Sequence, residues 1–296
     1  MKKVIIFLMA GLVFFPSMLM AGLQEEDLLD NVHKRFQTIV VERGGEPDSI
    51  SRQDMTIEKK IPFDVKISGK DLTMFAVKIS LTDASTGQKQ NVNLIVDETG
   101  SVQLDGAFAE LSTGLTLHQE ALDELERIEG DPDVGDLLFK GSGDAQVLFL
   151  SDPFCPYCRQ GYTYLLDQKD KIDQLKIAHF PINPDSGALA LTFLMMEFKG
   201  QDNYSEVVDF AYMIDMKELS GNRNHQVISM FNQEFGVFED EPEKVFADLE
   251  ERHMDVLTEE MNKMQSLGLT GTPVFIVNGV MVSGFNKARI DQLLEK

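Results

Sequence analysis

Tryptophan is absent from the 296 residues, cysteine occurs twice and histidine five times. Basic side chains are also scarce: 27 Lys and Arg stand against 49 Asp and Glu, for a formal net charge of −22. That balance argues against nucleic acid and anionic lipid as partners, since both are held by clusters of Lys and Arg. The two cysteines, Cys155 and Cys158, are separated by only two residues. A bridge across so short a loop constrains the unfolded chain little, so the pair reads as chemical rather than as a staple. Structural zinc wants four ligands, and no second cysteine pair exists; His225 and His253 would complete a site only by accident of folding, so no metal is expected. Internal repeats and low-complexity tracts are missing. No long apolar run follows the N-terminal one, which makes the mature chain a soluble protein by expectation.

What is present begins with export. Lys2 and Lys3 precede an apolar run from Val4 to Phe15, broken by Pro16 and followed by Ala21 and Gly22. This is the layout of a secretory signal peptide, and the run is shorter than the ~20 residues that a membrane span needs. Leu19 stands where a small residue is usual before the cleavage site. Residues 1–21 are therefore read as a removed leader, and the remainder, 43% hydrophobic overall, can bury a core in two domains.

The spacing predicts a helix from Asp27 to Val41, with Leu28, Val32, Phe36 and Ile39 on one face. A polar loop follows over Arg43 to Asp54. Strands are expected where Phe75, Val77, Ile79 and Leu81 alternate with polar or small residues, and again at Val92, Leu94 and Val96, with a turn at 83–87 between them. A second helix is expected from Thr116 to Glu129, with Thr116 and Gln119 as a capping box and Leu117, Ala121, Leu125 and Ile128 as its stripe. The Gly and Pro residues between Gly130 and Gly143 read as linker.

Then Val147-Leu148-Phe149-Leu150 forms a continuous apolar run, as in a strand buried on both faces. Asp152-Pro153-Phe154 ends it, and Cys155 opens a helix. Another buried strand is expected from Leu175 to Ile182. Helical spacing dominates from Asp185 to Leu267. Phe193, Met195, Met196, Phe198, Tyr212, Met213 and Met216 read there as core, with a client-binding surface as the alternative. Asn278-Gly279 turns a hairpin between Val274–Val277 and Val280–Val282, and a last helix spans Lys287 to Glu295.

The fold class is thus α+β in two domains. A small α+β domain occupies 22–114 and a linker helix with linker occupies 115–140. Residues 141–296 form a thioredoxin-like domain with a helical insertion at 185–267. Disulfide exchange needs an accessible thiolate and a second thiol to resolve the mixed disulfide. A Cys-X-X-Cys at a helix start supplies both, because the free N–H groups there favour the anion. Cys155 is the expected nucleophile and Cys158 the resolving thiol, with Phe154, Pro156 and Tyr157 forming the loop around them. Pro156 suits the first helical turn, where its missing N–H has no partner to lose. Thr272-Pro273 before the last hairpin reads as a turn, cis or trans; in the cis form, Thr272 would offer its backbone beside Cys155 to an extended substrate.

Asp152-Pro153-Phe154-Cys155-Pro156-Tyr157-Cys158, with His179-Phe180-Pro181 and Gly271-Thr272-Pro273, resembles the periplasmic protein-disulfide isomerases of the Dsb family, DsbG/DsbC type, in the thioredoxin superfamily. Thioredoxins and DsbA-type oxidases carry an acid six residues before the nucleophile. Here that position is Phe149, and an acid lies instead at Asp152. The resemblance implies a periplasmic isomerase or reductase that uses no cofactor beyond the Cys155–Cys158 pair. It also implies a homodimer formed through the N-terminal domain, non-native or misoxidised exported proteins as clients, and a membrane-embedded thiol reductase that recharges the pair. The upstream region is longer than the family's usual dimerisation domain. A DsbA-like oxidase, or a periplasmic chaperone with an incidental redox pair, is the alternative reading.

Overall fold

The computed structural model describes residues 22–46, 51–67, 69–82, 89–106, 109 and 116–295. The expected leader 1–21 and the expected turn at 83–87 lie outside the described residues. The chain divides between Leu125 and Glu126 into two compact units.

The first unit holds α1 (Glu25–Glu42), an antiparallel sheet of β1 (Met55–Ile67), β2 (Lys70–Thr82) and β3 (Lys89–Asp97) in the order β1-β2-β3, and α2 (Gln119–Leu125). Central β2 alternates between two small cores. Phe75, Val77 and Ile79 pack with Leu28, Leu29 and Val32 of α1, whereas Met74 and Ala76 pack with Ala121 and Leu125 of α2. Strand β1 switches face partway along. A bulge between Ile57 and Lys59 changes its register on β2, so Met55 joins the α1 side while Val65 joins the α2 side. One extra residue in a strand inverts which face every later side chain occupies. Pro62 is tolerated because β1 is an edge strand.

The loop expected over 43–54 holds among its described residues apart from a 3-10 turn at Arg52–Asp54, and β1, which follows it, was not expected. The second helix needs correction. The helix predicted to reach Glu129 stops at Leu125, and Leu117 is exposed rather than on its buried stripe. No capping box forms: the Gln119 amide donates to Asp123 Oδ1 at 3.0 Å instead. Within the stretch read as linker helix and linker, 119–125 form α2 of the first unit, 126–135 carry neither helix nor strand, and 136–140 are a strand of the second unit rather than linker.

That strand, β4 (Asp136–Lys140), edges a five-stranded sheet with β5 (Ala145–Ser151), β6 (Ile172–His179), β7 (Val274–Val277) and β8 (Val280–Ser283), ordered β4-β6-β5-β7-β8. The β5 and β6 strands are parallel, joined by α3 (Pro156–Leu166), and the other pairings are antiparallel. Alternate residues of β5 serve opposite cores: Val147 and Phe149 face α3 and the insertion, and Leu148 and Leu150 face the other side. This is why its sequence is apolar throughout. Asn278 and Gly279, both at positive φ, make the β7–β8 turn.

The insertion consists of α4 (Ala188–Phe198), α5 (Tyr204–Met213), α6 (Arg223–Phe235) and α7 (Pro242–Ser266), and α8 (Lys287–Leu294) closes the chain. Helix α4 is buried almost all round, as a helix without a polar face must be. Phe193, Met195, Met196, Phe198 and Tyr212 are core, while Met213 is 78% exposed and Met216 is also exposed.

Gly161 lets α3 approach the sheet. A methyl group there would lie 2.5 Å from Phe275 Cζ, in a ring stacked 4.8 Å from Phe149. Both rings are fully buried and have nowhere to move. Gly161→Ala is expected to lose about 1–3 kcal/mol, the usual cost of overpacking, despite the gain in helix propensity. Urea unfolding measures it, and an unchanged midpoint would refute the close approach.

Candidate active site

The apolar run of β5 ends at Ser151, and Asp152 turns the chain into α3. The Asp152 carboxylate accepts from the N–H of Phe154 at 2.8 Å and from that of Ile182 at 2.9 Å. Its carbonyl accepts from Cys155 N–H at 3.0 Å. The acid at this position therefore braces the loop against the segment after β6. Arg159 holds the loop from the helix side. It donates to the carbonyls of Pro153 (2.6 Å) and Ile214, with its guanidinium 5.5 Å from the centre of the Phe154 ring. Sequence reasoning missed Arg159, whose only signal was its place directly after Cys158.

Cys155 is the N-cap of α3, in extended conformation, and Pro156 follows in the first turn. No side chain caps this helix end, so its N–H groups remain oriented around the Cys155 position. Cys155 is half-buried, Cys158 is fully buried, and both carry free thiols. The Thr272–Pro273 bond is cis, and the Thr272 carbonyl oxygen lies 3.9 Å from Cys155 Sγ. Phe154 is buried under the loop, whereas Pro156 and Tyr157 (62% exposed) stand at its surface. The structure thus brings Cys155, Cys158 and Thr272-Pro273 to one place. A depression of about 300 Å³ adjoins them, lined by Thr270, Gly271, Pro273, Met281 and Ser283 among others.

Cys158 differs sharply from its partner. Burial pushes its thiol up to about 12, against the opposing pull of Asp152 N–H and of the Thr272 and Ser151 hydroxyls, with Cys155 adding to the rise. The Asp152 N–H is 3.5 Å from its sulfur. Two thiols one helical turn apart, one reachable and one shielded, can accept a disulfide from outside and then close on each other. His225 and His253 lie elsewhere: His225 meets the Asn222 side chain, and His253 pairs with Glu197 at 2.7 Å. Among the described residues no cluster of His, Cys, Asp and Glu could hold a metal ion.

A thioredoxin family model matches residues 135–296. The chain belongs to the thioredoxin family. That match begins one residue before β4, so the edge strand is part of the domain. Thiol–disulfide exchange is the chemistry this fold and this cysteine pair have in common. Solved structures similar to this chain include a thioredoxin-like oxidoreductase from Silicibacter pomeroyi, 20% identical, covering 54% of this chain and 90% of its own, with a TM-score of 0.41. BdbD from Bacillus subtilis is 15% identical over 57% of this chain and 99% of its own, at 0.43. Alpha-DsbA1 from Wolbachia pipientis is 15% identical over 58% and 96%, at 0.45. No curated protein matches the chain.

Proposed function

We propose that this protein is a periplasmic disulfide isomerase or reductase of the Dsb type, acting on misoxidised exported proteins. Cys155 is the attacking thiolate and Cys158 the resolving thiol. The contrast between the two sulfurs carries the reading: Cys155 opens to solvent at an uncapped helix start, while Cys158 is sealed beneath it. Cys155 attacks a client disulfide, forming a new S–S bond and releasing the other client sulfur as a thiolate. That thiolate can then attack elsewhere in the client, which is isomerisation. Alternatively, Cys158 displaces the client, which leaves reduced by two electrons while the pair becomes a disulfide.

The Thr272 backbone beside Cys155 suits an extended client segment held by main-chain hydrogen bonds. The proposed partners are non-native exported proteins, a membrane-embedded reductase and a second copy of the chain. Export rests on Lys2, Lys3 and the apolar run that follows them.

An equilibrium titration of the pair in glutathione buffers, run beside reactivation of scrambled ribonuclease, tests the reading. An isomerase restores ribonuclease activity while its own pair stays reduced. A pair poised near the oxidising end of the range, at about −120 mV, with no reactivation of the scrambled client, would identify an oxidase instead.

A further inference from the structure

The ladder of β5 ends at Ser151 and α3 begins at Pro156, so the segment carrying Cys155 belongs to neither. Its own bonds fix its shape. The Asp152 carboxylate accepts from Phe154 N–H, the Asp152 carbonyl accepts from Cys155 N–H, and Pro153 and Pro156 have no N–H to offer. Placement needs partners outside the segment. From the sheet side the N–H of Ile182 reaches Asp152; the helical insertion holds the entry, the middle and the exit. At the entry, Tyr212 OH donates to Ser151 Oγ at 2.5 Å, with both residues buried. In the middle, the Phe154 ring lies against Gly187 at the start of α4, where an added methyl group would come within 3.3 Å of Cε2. At the exit, Arg159 spans two carbonyls: Nε donates to Pro153 at 2.6 Å and Nη2 donates to Ile214. Tyr212 and Ile214 stand at the end of α5 on either side of Met213, which is 78% exposed and takes no part. One short stretch of the insertion therefore grips both ends of the redox segment.

We propose that the end of α5 is a clamp, Tyr212 on Ser151 and Ile214 on Arg159, that sets the position of Cys155 against the Thr272 backbone. This rests on the reading of Cys155 as the attacking thiol. Tyr212 and Arg159 act through the segment they hold and are positioning residues. The Tyr212 ring is itself fixed by stacking on Tyr162 of α3, 4.0 Å between centres and 10° from parallel. Tyr162 OH donates in turn to Asp209 of α5 at 2.5 Å. Arg159 is also tied to the nucleophile directly, because its backbone N–H donates to the Cys155 carbonyl at 3.1 Å. Its planar guanidinium reaches two acceptors at a fixed angle, which a lysine ammonium does not.

Cys155 Sγ stands 3.9 Å from the Thr272 carbonyl oxygen. A client segment held on that backbone presents its disulfide from one direction, so attack is fast only while the sulfur keeps its place. An ångström of misplacement can cost roughly a hundredfold in such a reaction. A small reagent that arrives from solution makes no such demand on alignment.

The test reacts the reduced full chain with a short unstructured peptide whose cysteine carries glutathione in a disulfide, and in parallel with iodoacetamide. Arg159→Met is expected to slow exchange with the peptide about tenfold, and Arg159→Lys, which keeps the charge without the fork, should stay slow. Tyr212→Phe, which keeps the stack, should slow exchange about threefold, the worth of one hydrogen bond. Ser151→Ala should match it, and the two together should lose no more than either alone, because they remove one bond. Alkylation of Cys155 by iodoacetamide should keep the wild-type rate in every variant. Peptide exchange at the wild-type rate in both Arg159→Met and Tyr212→Phe would overturn the clamp and leave the two-thiol reading standing. Alkylation slowed in step with exchange would mark a defect at the thiol itself and also overturn it. Losses that multiply in the Ser151→Ala, Tyr212→Phe double variant would overturn the hydrogen bond as the grip on the entry. A wild-type chain that exchanges with no disulfide peptide would overturn the exchange reading and the clamp together.

Discussion

Cys155→Ser is expected to reduce disulfide exchange by about a thousandfold or more, because an alcohol is a far weaker nucleophile than a thiolate and cannot form the mixed disulfide. Cys158→Ala should do the opposite to the intermediate. The first attack proceeds, the release by Cys158 does not, and clients accumulate covalently bound through Cys155. Non-reducing electrophoresis followed by mass spectrometry reads both results. Loss of adducts in the double variant would prove that Cys155 is the attachment point. The same asymmetry predicts alkylation of the reduced native chain at Cys155 alone. A group whose value is raised favours its neutral form, so Cys158, at about 12, remains a thiol up to about pH 11. Its modification should therefore wait for unfolding. Rapid labelling of Cys158 in the folded chain, or a Cys155→Ser protein that still exchanges disulfides, would end the mechanism.

The parts of this site that could be read in the sequence are those where one local pattern suffices. The run Val147–Leu150 needs only its composition to be recognised as a strand buried on both faces, and the Cys-Pro-Tyr-Cys that follows needs only its place at a helix start. Asn278-Gly279 identifies its own hairpin because few other residues accept positive φ twice in succession. Strand β1 escaped notice for an equally local reason. Lys59 and Lys60 interrupt its alternation at the bulge, and Pro62 sits where a strand normally excludes it. Strand β4 is five residues long and bounded by Gly135 and Gly141, so it resembled linker. Ser151 and Tyr212 are 61 positions apart and meet only because α5 is laid against α3. No period within either segment encodes that contact. Both would have stayed an ordinary serine and an ordinary core tyrosine.

Asp136→Asn is expected to lower stability by about 2–3 kcal/mol at pH 7, less than a wholly buried pair would lose because one partner, Lys199, remains half in water. Asp136 opens β4 and is nearly buried. Its carboxylate lies 2.9 Å from Lys199 Nζ and 3.4 Å from His179 Nε2, the latter an ion-pair distance without hydrogen-bond geometry. Burial opposes its charge, but His179 and Lys199 outweigh burial and hold the carboxyl below its ordinary value. Glu260 of α7 belongs to the same cluster with the opposite sign. Burial raises it and Asp136 adds to the rise, against the pull of His179, Lys199 and Lys263. The signs set the pH profile. A lowered acid stabilises the fold fully above the ordinary carboxylate value, and that contribution is lost as pH falls through the lowered one. A raised acid destabilises when ionised, so acidification through its folded-state value relieves the fold. The urea midpoint should therefore hold or rise on going from pH 7 toward pH 5, then fall steeply below about pH 4. Glu260→Gln should remove the gain, and Asp136→Asn should remove part of the steep fall. An Asp136→Asn protein with the wild-type midpoint at every pH would mean that β4 is held by its ladder to β6 and by packing alone.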